Sequence, residues 1–213
     1  MAKSSLCVLS VVFFMLAGSA QSARADLVTF TFDGDFSGSF DSNPLNGATT
    51  FSGSFTFDST TTNVGDAIFA EYPAVTEFAL TVGGFAFSSS VLGGTGTIFV
   101  DVPLGQHSYA VLVEDAVDGL GNSISSADLA LVDTDGTAAL ATGPSPPLSL
   151  PDLSEFEERP FSAAITPDGE TTSPELLGTI TSITTPVPVP APGAALLAAF
   201  GLATVASIRR RLA

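Results

Sequence analysis

Apolar and polar positions alternate with a period of two along most of the chain. In Leu27–Phe32, Val28, Phe30 and Phe32 fall on one face and Thr29 and Thr31 on the other. Phe51, Phe55 and Phe57 repeat the pattern within Thr49–Asp58, with Gly53 in the same row. Period-two runs of Phe, Val and Thr are the signature of β-strands. Further strands are expected at Val75–Val82, Phe85–Ser88, Gly96–Val102, Ser108–Glu114, Asp128–Val132, Phe161–Thr166 and Leu177–Thr184. Turn signals separate them, at Asp33-Gly34, Asn46-Gly47, Gly83-Gly84, Gly93-Gly94, Asp118-Gly119 and Asp168-Gly169. Gly83-Gly84 is the clearest two-residue hairpin. Short strands in succession, with no amphipathic helix among them, predict an all-β fold. The expected form is an antiparallel β-sandwich or jelly-roll-like domain over residues 26–183, with strand order left open.

Both ends break this pattern. Residues 1–25 read as a signal peptide, with Lys3 as a positive start and Leu6–Ala17 as an apolar stretch. Ala23 and Ala25 flank Arg24 in the small-x-small form that signal peptidase needs, which predicts cleavage before Asp26. At the other end, residues 184–192 form a proline-rich linker containing Val187, Pro188, Val189, Pro190 and Ala191. An uncharged apolar run, Gly193–Ile208, follows and is expected to be a C-terminal transmembrane helix. At about 1.5 Å per residue it reaches about 24 Å, a gap that snorkelling arginines and bilayer thinning can close. Residues 209–213 form a basic tail with Arg209, Arg210 and Arg211, cytoplasmic by the positive-inside rule. The expected partners are the secretory translocon, signal peptidase and the membrane itself.

Proline motif, short apolar helix and terminal arginine cluster, in that order, resemble the PEP-CTERM sorting domains of Gram-negative bacteria. The VPLPA-type variant is the closest form, written here Val187-Pro188-Val189-Pro190-Ala191, with Val189 where Pro-Glu-Pro has Glu. The resemblance implies an exosortase, an integral-membrane cysteine protease, that recognises the proline motif and removes the tail. It also implies an association with exopolysaccharide and the biofilm matrix. The stretches Gly53–Thr61 (GSFTFDSTT) and Phe78–Gly84 (FALTVGG) resemble PEP-CTERM proteins too. The implied route is an inner-membrane-anchored precursor, then the cell surface or the extracellular space.

Charge narrows the partners. Arg159 is the only basic residue between the two ends apart from His107, and all 22 acidic residues lie there with it. Such a surface repels nucleic acid and anionic headgroups, which are bound by lysine and arginine that displace counterions. Nucleic-acid binding is excluded on that ground, whereas divalent cations and cationic partners are favoured. The 17 phenylalanines, kept in alternating rows, argue for a folded domain despite the charge. The sole cysteine, Cys7, is in the signal segment, so the mature chain holds no disulfide and no thiolate site.

Catalytic chemistry has little material. His107 is the only histidine, and its neighbour Ser108 would point to the opposite face of a strand. One histidine and no mature cysteine do not supply the usual zinc sets. Paired carboxylates for glycoside cleavage are available by number alone, but tryptophan is absent and tyrosine is limited to Tyr72 and Tyr109. No catalytic or cofactor-binding residue is therefore assigned, and the chain is expected not to be an enzyme. Calcium is the one metal expectation. Asp133-Thr134-Asp135-Gly136 begins like a calcium loop, and Glu114, Asp115 and Asp118 form a second acidic group. An EF-hand fails, because Pro144 stands where the bidentate glutamate of position twelve belongs. The first expectation is a structural, matrix-associated surface protein. The alternative is a calcium- or glycan-binding module at the same surface.

Overall fold

A computed structural model describes residues 27–37, 45, 47–89, 96–103, 105–170 and 174–184. The expected signal peptide and transmembrane helix lie outside the described residues. Nine strands follow one another: β1 (Leu27–Phe36), β2 (Thr50–Asp58), β3 (Phe69–Val82), β4 (Phe85–Ser89), β5 (Gly96–Asp101), β6 (His107–Val117), β7 (Ser123–Asp133), β8 (Pro160–Thr166) and β9 (Glu175–Thr184). Each expected strand is present. A single 3-10 turn, Leu153–Glu155, interrupts the long β7–β8 connection, and the Asp152 side chain caps it by accepting from the Ser154 N–H.

All pairings are antiparallel, and the order is β2-β1-β9-β8-β7-β6-β5-β3-β4 with β2 also bonded to β3. That last pairing closes eight strands into a barrel, with β4 as the extra strand. The sandwich or jelly roll expected from the sequence is therefore corrected to a closed barrel. Period-two alternation is common to both architectures. What separates them is closure by two ladders, β1 on β9 (Asp35↔Thr179) and β2 on β3 (Ser52↔Thr81), pairings that no local pattern encodes. β3 is long enough to serve three neighbours. Its second half pairs β2 on one edge and β4 on the other, while β5 takes the first half of that other edge. β4 thus takes the part of that edge beyond the first residue of β5, and the Ser89 hydroxyl ties it to the Val117 carbonyl of β6 (2.9 Å).

The interior is filled by side chains. Phe30, Phe32, Phe55, Phe57, Phe161, Leu80, Ile98 and Ile124 are fully buried, and their rings pack in stacked and tilted pairs such as Phe30–Phe55 at 5.4 Å. An eight-stranded barrel is narrow enough for side chains to fill it. The outer wall carries Thr29, Thr31, Asp33, Ser54, Glu77, Thr81 and Thr181. Apolar inside and polar outside is the reverse of the alternation in transmembrane barrels, so this wall is built to face water.

Register places the ends. Leu27 pairs with Asp58, Phe69 with Asp101 and His107 with Asp133, so these residues share one rim. Thr184 pairs with Thr31 and runs toward the same rim. The chain therefore enters and leaves the barrel at one end.

Candidate functional site

The rim at which the chain enters and leaves is closed by the β7–β8 connection, residues 134–159. Its Ala138, Leu140 and Phe156 join the barrel core, and Leu150 and Leu153 pack against it. An antiparallel bridge between Val132 and Glu158 (N···O 2.8 and 3.1 Å) draws the two ends of the connection together. Tyr72 pins its middle: the hydroxyl donates to the Gly143 carbonyl (2.9 Å) and accepts from the Gly143 N–H (3.1 Å). The Thr142 hydroxyl donates to the Ala67 carbonyl (2.6 Å), and the Asn63 N–H donates to the Pro144 carbonyl (3.1 Å).

Polar residues gather beneath this cap. His107 and Tyr109 of β6, Tyr72 of β3 and Asp133 of β7 occupy inward positions near the rim of an otherwise apolar interior. Asp133 is fully buried, the only charged residue so placed among the described residues. Its Oδ1 accepts from the N–H groups of Asp135 (3.1 Å) and Gly136 (3.0 Å), and its Oδ2 accepts from the Ala138 N–H. Burial drives its carboxyl toward higher pKa. The N–H groups of Ala138, Asp135 and Gly136 overcome that and hold it below the ordinary value of 3.8. Gly136 has φ +73, a left-handed conformation that lets the chain turn back over the carboxylate. The His107 Nδ1–H donates to the Ala138 carbonyl (2.8 Å), and this nitrogen stands 3.9 Å from Asp133 Oδ2.

Two exposed carboxylates join Asp133. Asp135 and Glu157 bring an oxygen each within 4.8 Å of it and of one another. Glu157 Oε2 also accepts from the Thr134 N–H (2.8 Å) and hydroxyl (3.3 Å), which fixes the acidic segment against the loop. These three residues are the set that would hold a hard cation, with water completing the six to eight oxygens calcium takes.

Asp133 and Asp135, expected from the sequence, are thus brought together. Glu114, Asp115 and Asp118 are not part of this set. Along β6, Glu114 is seven residues from His107, about 23 Å at 3.3 Å per residue, and Asp115 and Asp118 lie farther on. Asp118 is spent on the β6–β7 turn, where it accepts from the N–H groups of Leu120 (2.8 Å) and Asn122 (2.9 Å) and from the Asn122 side-chain amide (2.7 Å). Asp115 is exposed with φ 49, the one non-glycine residue with positive φ among the described residues. Glu157 carries no local signal of a ligand in the sequence, since its position depends on the Val132–Glu158 bridge. The sorting residues Val187, Pro188, Val189, Pro190, Ala191 and Arg209–Arg211, and Ala23 and Ala25 of the cleavage site, lie outside the described residues.

Comparisons with protein families, with curated proteins and with solved structures find no match to this chain.

Proposed function

We propose that the chain is an exported, surface-sorted protein whose acidic β-barrel serves a structural, matrix-associated role and not a catalytic one. The observation that carries this reading is the three-part C-terminus, with proline motif, apolar run and arginine cluster in strict order. The fold supports it in two ways. β9 runs to the rim where β1 begins, so a tether following Thr184 leaves from one end of the barrel and the opposite rim is presented outward. The interior is filled by phenylalanine side chains, which suits a rigid displayed body. Translocon, signal peptidase and an exosortase-type protease are the proposed partners in delivery, and an exopolysaccharide matrix is the proposed destination.

The test is the intact mass of the protein from its native host, measured separately in membrane and released fractions. A released form that begins at Asp26 and ends near Val187–Ala191 supports the proposal. A complete C-terminus confined to the membrane fraction overturns removal of the tail and makes the barrel a permanently anchored one.

A second reading, a calcium-binding surface module, is favoured by the approach of Asp133, Asp135 and Glu157 at the capped rim. Three carboxylates packed together with no lysine or arginine in the set repel one another, and a divalent cation relieves that repulsion.

A further inference from the structure

The wall opposite β6 and β7 carries a groove of about 560 Å³ running across β9, β1, β2 and β3. Its cause is local. Gly34 of β1, which faces Ile180 beside a register shift at Asp33/Gly34, and Gly178 of β9, which faces Phe36, bring no side chains to the wall, and the ring of Phe51 fills the space beneath both. Glycines and bulges of this kind bend a sheet.

The groove is lined by oxygen-bearing side chains in register. Asp33 pairs with Ser52 and Ser52 with Thr81, so three adjacent strands present one row at about 4.8 Å intervals. Thr181 extends the lining on β9, and Asp35 with Thr50 forms a second row. The carboxylates of Asp33 and Asp35 are exposed, and no ion pair joins either to Arg159 among the described residues.

We infer that this groove binds an extended polysaccharide bearing protonated amino groups. Carboxylates and hydroxyls at strand spacing match a chain of sugar hydroxyls that repeats on a similar scale along its length. The two unpaired carboxylates select ammonium groups, and the acidic surface around them repels an anionic polymer. The inference deepens the matrix-associated reading and rests on it for biological meaning. Its test is independent, because binding in solution does not depend on how the tail is processed.

The experiment is calorimetric titration of the full-length chain in a non-ionic detergent with a short glucosamine oligomer at physiological salt, beside its N-acetylated counterpart. Asp33→Asn with Asp35→Asn weakens binding by about tenfold or more. Ser52→Ala with Thr81→Val weakens it several-fold at unchanged net charge. Glu114→Gln with Asp128→Asn, which removes two acids from the opposite wall, leaves it within about twofold, since distant surface charges are screened. The N-acetylated oligomer binds more weakly. Equal weakening by both acid pairs reduces the effect to general attraction and overturns the inference, as does failure of the glucosamine oligomer to bind.

Discussion

The ring of Phe51 fills the space that a side chain on Gly178 would need, its Cε1 2.6 Å from where a Cβ would stand. The same ring covers Gly34, its cross-strand partner on β1, and stacks on Phe161 at 4.2 Å and 21°. One phenylalanine thus serves two glycines on two strands, at the place where β9 closes onto β1. Gly178→Ala presses on the ring and on the Asp35 carbonyl, 2.7 Å from the Cβ position, and destabilises the barrel by about 1–3 kcal/mol, the usual range for overpacking. Phe51→Leu alone is destabilising through lost contact. The double variant loses somewhat less than the sum of the two, because the smaller side chain removes the clash with the ring while the clash with the Asp35 carbonyl stays. Urea denaturation of the four proteins checks this, and strict additivity would contradict it.

Two tyrosines beneath the cap differ in their partners, and their removal differs in sign. Tyr109 is fully buried, its hydroxyl has no hydrogen-bond partner among the described residues, and burial pushes its phenol far above the ordinary value. Tyr109→Phe removes a polar atom already cut off from water and raises stability by about 1 kcal/mol. Tyr72 is equally buried but holds both backbone groups of Gly143. Tyr72→Phe lowers stability by about 1–3 kcal/mol and speeds amide exchange at Gly143, which is left without its acceptor. Parallel effects of the two substitutions would refute the assignment.

Asp133 makes the capped rim sensitive to acid. Its carboxyl is held below 3.8 in the folded chain, so it binds its proton less readily there than when unfolded. The resulting stability is fully present above the unfolded value and disappears as pH falls through the lower folded one. Asp133→Asn, which keeps the shape and removes the charge, lowers the melting temperature by more than about 5 °C at neutral pH. The difference between wild type and variant narrows as pH falls below 3.8. Melting curves from pH 7 to pH 2 show this directly, and a difference independent of pH would mean that the charge is not what the loop N–H groups hold.

Legibility in the sequence follows the range of the interaction. Strands depend on alternation over a few residues, and the Gly83-Gly84 hairpin appears where its dipeptide stands, with Val82 facing Phe85 and Gly83 at φ 56. Strand ends were less visible. β6 continues past Glu114 through Asp115 and Ala116 to Val117, because its long partner β7 supplies a ladder that intrinsic preference does not. Closure was not visible at all, since a sandwich and a barrel present the same alternating faces and differ in which distant strands meet. The acidic site divides in the same way. Asp133 and Asp135 are two residues apart, whereas Glu157 reaches them through the fold of the connection, and Asp118 reads as a ligand in sequence but is consumed by its own turn.

The carboxylate set at the rim gives a metal prediction with two signs. Asp135 and Glu157 are exposed and repel Asp133 and each other. Replacing them by Asp135→Asn and Glu157→Gln relieves that repulsion and raises the melting temperature in a calcium-free solution. In wild type, millimolar calcium raises the melting temperature by mass action, about 2.7 kcal/mol once calcium reaches 100 times its dissociation constant. Magnesium at equal concentration does less, because it demands octahedral geometry and surrenders its water reluctantly. In the double variant the calcium increment vanishes while the general effect of salt on this acidic surface remains. Differential scanning calorimetry with sodium-matched controls separates the two. Equal shifts of wild type and variant by calcium would mean that the cation acts on the surface as a whole, and that these three carboxylates only organise the loop that closes the barrel.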